Sequence, residues 1–363
     1  MRKLASIQRI NALFSPIKGA DKIEVANVLG WQIVVKKNEF NVGDLCVYVE
    51  IDSILPELPE FEFLRTKKFK VKTIKLRGQV SQGICFPISI LPNGITPKEE
   101  DDVTETLNIC KYESDDTDET DNISNTSENP SFFRRIKKFI LPWFFKKHHK
   151  KGPVFPGYLH KTDETRIQTI LRILNEVKDK QFYITKKLDG TSCTISHYKI
   201  GLFQYEDFIC SRNTRRGPDS VYGKIEKRYD ILRKLRKLGN YAVQGEICGP
   251  KIQGNKLGLK KENLFLFNVY DINKKKYLNY QDFIKFAEKI GVPTVPILND
   301  NFYFNNETLD DLLKMAEGKY PGTNNEQEGL VFRPTIETYS EVLKGRMSFK
   351  VISNRYLLKE EGL

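Results

Sequence analysis

The chain has 363 residues and a net charge of +12, with 59 Lys and Arg set against 47 Asp and Glu and 39% hydrophobic residues. That length asks for more than one ordinary domain, and the lack of any run of about 18 apolar residues excludes a membrane-spanning helix. The positive excess points to a polyanionic partner, nucleic acid first and an acidic membrane surface second.

Met1-Arg2-Lys3-Leu4 has no apolar run behind it and is read as opening no secretory leader. Six cysteines without a Cys-x-x-Cys pair argue against a zinc site and fit free thiols in a reducing compartment. Together these predict an intracellular, cytoplasmic chain, with the nucleus left open.

Residues 1–110 read as short strands: Ser6–Ile10, Lys22–Ala26, Trp31–Val35, Leu45–Ile51, Val71–Leu76 and Gly83–Pro87, punctuated by Gly, Asp and Pro. Many short strands and little helix predict an OB-like β-barrel. Its bland alternative is a scaffold without a ligand of its own.

Residues 111–152 change character. Glu113 to Asp121 begins an acidic, Asn- and Ser-rich tract that cannot bury a core and reads as a linker. In 132–151, Phe132, Phe133, Ile136, Phe139, Ile140 and Trp143 recur at helical spacing among basic residues, interrupted by Pro142. That basic amphipathic stretch docks on a domain or lies on RNA or an anionic membrane.

Residues 153–363 mix helices and strands in α+β order, with antiparallel sheet expected. Asp163–Leu174 reads as an amphipathic helix capped by Thr162. Phe182–Thr185, Tyr241–Gln244 and Leu264–Tyr270 read as strands, and Gln281–Ala287 opens a helix.

Lys187-Leu188-Asp189-Gly190 is the first chemical signal. A lysine two residues before Asp-Gly suits covalent nucleotidyl transfer: the amine attacks phosphorus, the carboxylate lies within reach, and glycine lets the backbone approach a phosphate. By composition alone such a tetrapeptide occurs in roughly one chain in ten of this length, and Asp-Gly is a common turn. Its weight rises with the elements that come after it in order: Ser211-Arg212-Asn213, Gly245-Glu246, Phe265-Leu266-Phe267-Asn268, Glu328-Gly329-Leu330-Val331 and Ser348-Phe349-Lys350.

Each residue has an ordinary reading as a turn, surface or core side chain, but chance does not order six such elements. The lysine needs a lowered pKa, which Lys186, Arg212, Lys350 or a metal would provide. Cations must meet the α-phosphate, for which Lys350 and Arg212 are suited, and Glu246, Glu328 and Asp189 are the candidates to hold a divalent metal. Phe267 is the candidate face for a purine.

The set resembles motifs I, Ia, III, IIIa, IV and V of the covalent nucleotidyltransferase superfamily of DNA ligases, RNA ligases and mRNA capping enzymes. DNA ligases and capping enzymes continue into a C-terminal OB domain, for which the sequence, ending at Leu363, is read as leaving no room. Arg2-Lys3-Leu4-Ala5-Ser6, Gly30–Lys37, Leu76–Gly83 and Phe155–Glu164 resemble the ATP-dependent RNA ligases that carry an N-terminal OB domain.

The resemblance implies an OB-like barrel over 1–110, an insertion over 111–152 and an adenylyltransferase domain, ATP-grasp-like with antiparallel sheet, over 153–363. It implies an ATP- and Mg2+- or Mn2+-dependent RNA ligase that joins 3′-OH and 5′-phosphate ends, at nicks in duplexes, through lysyl-AMP. The alternatives are a DNA ligase or capping-type enzyme, or a catalytically weak RNA-binding relative.

Lys187 matches the nucleophile, Arg212 and Lys350 the other catalytic cations, and Glu246 and Glu328 the two acids. Thr185, Lys187, Arg212, Glu246, Phe267, Glu328 and Lys350 are expected around ATP, and Asp189, Glu246 and Glu328 around the metal. A monomer acting on RNA without a stable protein partner is expected, with the barrel gripping nucleic acid and taking no part in adenylation. Two departures stand out: Lys186 where glutamate is frequent, and Ser348 where many relatives have lysine, which leaves the α-phosphate to Lys350, Arg346 or metal.

Overall fold

The computed structural model describes residues 3–112 apart from 16 and 18, and residues 155–360 apart from 202 and 203. The acidic tract and the basic amphipathic stretch of 132–151 lie outside the described residues.

The N-terminal part is a curved antiparallel sheet in the order β3-β2-β1-β4-β8. Its strands are β1 (Ala5–Phe14), β2 (Ile23–Val28), β3 (Trp31–Lys36), β4 (Leu45–Val49) and β8 (Ile84–Pro87). A register irregularity in β1 between Ile10 and Ala12 divides the long strand, whose first half pairs with β4 and whose second half pairs with β2. Such an irregularity increases local twist, and the sheet curls into the half-barrel of an OB fold. Ile7, Val47, Val49 and Phe61 form one core, and Ile10, Trp31, Ile33 and Tyr48 another. Two short pairs complete this part: β5 (Ser53–Ile54) with β9 (Cys110–Lys111), and β6 (Thr73–Leu76) with β7 (Gln79–Gln82). The barrel expectation therefore holds.

The C-terminal part is α+β and is built on two five-stranded sheets. The first has the order β10-β21-β18-β11-β17, from β10 (Thr165–Arg166), β11 (Gln181–Lys187), β17 (Ile297–Tyr303), β18 (Gly329–Pro334) and β21 (Phe349–Ile352). The second has the order β13-β12-β14-β15-β16, from β12 (Thr191–Lys199), β13 (Tyr205–Cys210), β14 (Tyr241–Cys248), β15 (Asn263–Asp271) and β16 (Lys276–Tyr277). A minor hairpin, β19 (Tyr339–Ser340) with β20 (Gly345–Arg346), joins β18 to β21. Pairing within the two sheets is antiparallel apart from the short parallel contact of β10 with β21.

Helices α1 (Val221–Tyr229), α2 (Ile231–Leu238) and α3 (Tyr280–Ile290) bury Ile225, Leu235 and Phe283 against Val243, Ile247 and Leu266 of the second sheet. Helix α4 (Leu309–Ala316) packs Leu312 and Ala316 onto Phe182, Ile184, Leu330 and Phe349 of the first. The last helix, α5 (Asn354–Glu360), reaches back so that Leu357 packs on the barrel core. No helix among the described residues is long and apolar enough to cross a membrane.

The helix expected over 163–174 does not form. Thr165 and Arg166 extend alongside Phe349 and Lys350, and two 3-10 turns, Ile167–Thr169 and Leu171–Asn175, come next. Strand pairing with β21 and a barrel contact from the Gly30 amide to the Gln168 carbonyl at 2.8 Å hold this segment open. The apolar residues at helical spacing still serve, with Ile167 and Ile173 fully buried in the first sheet's core.

Candidate active site

The Lys187-Leu188-Asp189-Gly190 segment is where the chain leaves one sheet for the other. Strand alternation aims the site residues. On β11, Phe182 and Ile184 enter the core, so Thr185 and Lys187 face the cleft between the sheets. On β18 and β21, Leu330, Phe332, Phe349 and Val351 are core, leaving Val331, Arg333 and Lys350 for the cleft. On β14 and β15, Ile247 and Leu266 are core, leaving Glu246 and Phe267. The cleft encloses about 620 Å³, within the usual size of small-molecule sites. Thr185, Lys187, Asp189, Arg212, Glu246, Phe267, Glu328 and Lys350 all line it.

Glycine serves two close approaches. A Cβ on Gly190 would lie 2.4 Å from the Ile247 carbonyl and 2.9 Å from Glu246 Cγ, so glycine lets the crossing chain press against β14 beside the acid. Gly190 also lines the cleft itself. Gly329 has φ +156°, and a Cβ there would lie 2.1 Å from the Val351 carbonyl. Its absence lets β18 lie against β21 and brings Glu328 and Lys350 to one wall.

The centre is a cation among acids. Lys187 Nζ lies 2.8 Å from both carboxylate oxygens of Glu328. Burial would lower the pKa of Lys187, but Glu328, Glu246 and Asp189 outweigh it and raise the value. The expected depression of this lysine is therefore absent. Lys186, Arg212 and Lys350 line the same cleft, but the charges that act most strongly on the Lys187 amine are those of the acids. Burial, with Glu328 and Asp189 adding and Lys187 opposing, pushes Glu246 up to about 8. Burial also raises Glu328, against Lys187. The depressed lysine is Lys350, through burial first, with Lys187 and Arg166 adding to it and Asp163 opposing.

Asp189 lines the cleft with the other two acids and has further partners of its own. Its carboxylate accepts a 2.8 Å hydrogen bond from the Tyr356 hydroxyl and pairs with Lys256 at 3.0 Å. Among the described residues no group of three or more acid, His or Cys side chains is gathered to hold a metal. Asp189, Glu246 and Glu328, the acids expected around the metal, nonetheless all line the one cleft. Glu246 and Glu328 remain together in the cleft, and their raised pKa values mark an acid pair short of positive charge. Two carboxylates suit a magnesium-type ion, which usually takes one or two and completes its shell with phosphate oxygens and water.

Thr185 is buried, and its hydroxyl has no hydrogen-bond partner among the described residues. Phe267 presents its ring to the cleft with the Arg333 guanidinium 5.8 Å from its centroid. Arg346, considered as a replacement for a lysine at 348, instead bonds Glu337 and, at 2.8 Å, Asn268. Ser348 donates to Glu164 at 3.1 Å, beside Arg333, which reaches the same oxygen at 2.6 Å.

Comparison with known proteins settles the family. A family model for RNA ligase matches residues 180–352, and one for an OB-fold domain matches residues 4–88. Naegleria gruberi RNA ligase with pyrophosphate is 33% identical with a TM-score of 0.80, covering 100% of this chain and 100% of that chain. A mutant of the same enzyme with AMP and Mn gives the same identity, coverage and TM-score. Another mutant, with ATP and Mn, is 32% identical over 99% of this chain and 100% of that one, with a TM-score of 0.79. A search of curated proteins finds no match. The chain belongs to the RNA ligase family.

In this ligase several site residues carry no motif of their own. The Tyr320 hydroxyl accepts from the Asp189 and Glu328 amides, each at 3.2 Å, and donates to the Lys187 carbonyl at 3.0 Å. It ties the nucleophile's strand to the acid's. Glu164, buried with Arg333, is held at about 2 because Arg333 overcomes the cost of burial. Both it and Asp163 sat in the segment read as a helix. The barrel contributes as well: Asp52, Lys70, Lys111 and Tyr112 line the cleft, and Asp52 pairs with Arg166 at 2.9 Å. The barrel, expected to grip nucleic acid and to take no part in adenylation, thus reaches the cleft wall. Only the string Phe155–Glu164 hinted at any of this.

Proposed function

We propose that this RNA ligase is ATP-dependent and seals RNA 3′-OH and 5′-phosphate ends, at nicks in duplexes, through an adenylate on Lys187. The observation that carries the reading is Lys187, at the end of β11, with Glu328 on its amine and Lys350 and Arg212 in the same cleft. The relatives with ATP, AMP or pyrophosphate support it.

Phe267 offers its ring face to adenine and Thr185 its unpartnered hydroxyl to the nucleotide. Lys350 and Arg212 meet the α-phosphate oxygens. Glu328 holds the Lys187 amine in line and bears on its proton. The amine attacks the α-phosphorus, a P–N bond forms, and pyrophosphate leaves with the electrons of the broken P–O bond. An RNA 5′-phosphate then displaces Lys187 to give RNA-adenylate. A 3′-hydroxyl attacks that phosphate, and AMP leaves. Glu246 and Glu328 would hold a divalent cation, Mg2+ or Mn2+, which when bound neutralises phosphate charge and the acid field around Lys187.

The test is intact-mass analysis after incubation with ATP and each metal. Wild type gains one AMP and Lys187→Ala gains none. An adduct that survives Lys187→Ala refutes the assignment. A wild-type chain that binds RNA but gains no AMP identifies the catalytically weak relative. Sealing of a nicked duplex against a single-stranded substrate then tests the substrate class.

A further inference from the structure

The cations of the cleft already hold an anion, and it belongs to the chain. Asp163 Oδ1 lies 3.1 Å from Lys350 Nζ, while Oδ2 lies 2.5 Å from Arg212 Nη2 and 3.4 Å from Lys111 Nζ. The three cations come from β21, from the Ser211–Thr214 turn after β13, and from the barrel's β9. Two of them are those assigned above to the α-phosphate. The neighbouring acid, Glu164, is different in kind: its side chain is 14% exposed against a partner, Arg333, at 2%, as expected of a scaffold pair. The Asp163 side chain is 36% exposed and lines the cleft itself.

We propose that Asp163 is the resident anion of the phosphate subsite. It gathers Lys350, Arg212 and Lys111 while no phosphate is bound, yields them to an entering triphosphate, and takes them back once the adenylate has been passed on and AMP leaves. The role rests on the ligase reading of this cleft. A carboxylate and a phosphate use the same donors in the same way, through charge-assisted N–H···O bonds. Three cations this close would repel one another with no anion between them. A carboxylate carries a single charge, so a polyphosphate displaces it, but each phosphate is bound more weakly by the work of displacement. That weakening favours release of the product. Lys111 adds a consequence: the barrel senses whether the phosphate subsite holds Asp163 or a ligand. Asp163 is a positioning residue, since it acts through the cations and not on the reacting atoms.

The experiment uses the full chain as wild type, Asp163→Asn and Asp163→Ala, with inorganic pyrophosphate as the probe in calorimetry. Loss of one charge-assisted competitor should tighten pyrophosphate about tenfold or more. The KM for ATP should fall in the same variants, while kcat for multiple-turnover ligation falls because the phosphate-bearing product AMP leaves slowly. A role in merely holding the fold predicts the reverse sign for binding. Unchanged or weaker pyrophosphate binding in both variants overturns the proposal, and so does loss of the folded state in both. The Lys187 adduct is scored separately. A wild type that binds pyrophosphate but never forms lysyl-AMP refutes the ligase reading and leaves the binding result for Asp163 intact.

Discussion

Replacing Glu246 with glutamine should stabilise this ligase while ending its adenylation. Glu246 sits in a strand beside Lys187, with Glu328 and Asp189 nearby, and its carboxyl is pushed from 4.5 up to about 8. At pH 7 the folded chain therefore keeps the proton and the unfolded chain releases it. Glutamine copies the protonated shape without having to hold that proton. The gain comes from linkage: below 1 kcal/mol near pH 5, about 3 kcal/mol at pH 7, and levelling near 5 kcal/mol above pH 8. Partial contact of this side chain with solvent makes these values ceilings. The direction of the shift sets the sign. A folded-state value above the free value means the folded chain binds more protons, so wild-type stability declines relative to the variant as pH rises from about 5 to 8. Urea denaturation of both proteins at pH 5, 7 and 9 reads the difference. A gap that stays constant across these three, or a variant less stable at each, would show that Glu246 is not an acid strained by its neighbours.

Two further changes test how the site is held together. Tyr320→Phe removes one donor and two accepting contacts at a buried position, which should cost about 1–3 kcal/mol and slow lysyl-AMP formation in a chain that still folds; thermal denaturation and the mass adduct report the two effects. A chain beginning at residue 155 loses the Asp52–Arg166 pair, the Glu50–Thr169 bond, the Gly30–Gln168 contact and the seat of Leu357. It should melt lower and need more ATP for the same adduct yield, and equal adduct yield at limiting ATP would show that the barrel's place at the cleft is incidental.

Much of the site was legible because strand alternation is local. In Gly329–Pro334 and Phe349–Ile352 the apolar residues take one face, so Arg333 and Lys350 must take the other. The strands β11, β14 and β15 could be read in the same way. The segment 163–174 could not, because its helical spacing of Ile and Leu is real but serves a different backbone. Pairing of Thr165 and Arg166 with residues 184 positions away decided that conformation, and no local pattern encodes it. The further partners of Asp189 were hidden for a similar reason: Tyr356 and Lys256, which bond its carboxylate, lie 167 and 67 positions away. Tyr320 left no trace, since a buried tyrosine looks the same wherever its hydroxyl points. The cations named for lowering the pKa of Lys187 do line the cleft, but Glu328, Glu246 and Asp189 act on its amine more strongly, and sheet pairing rather than sequence sets their closeness.

The distances along the chain within the cleft also order events in time. Lys187 is made before Glu328, which bonds its amine, and well before Lys350, proposed to meet the phosphate. The parallel contact of β10 with β21 closes only when both ends of a long loop exist. A ribosome that has released Lys187, Asp189 and Gly190 has so far produced Lys111 but not Glu328, Arg212 or Lys350. On the proposed mechanism, adenylation waits for β21, and a protein interrupted before it is inert rather than half-active.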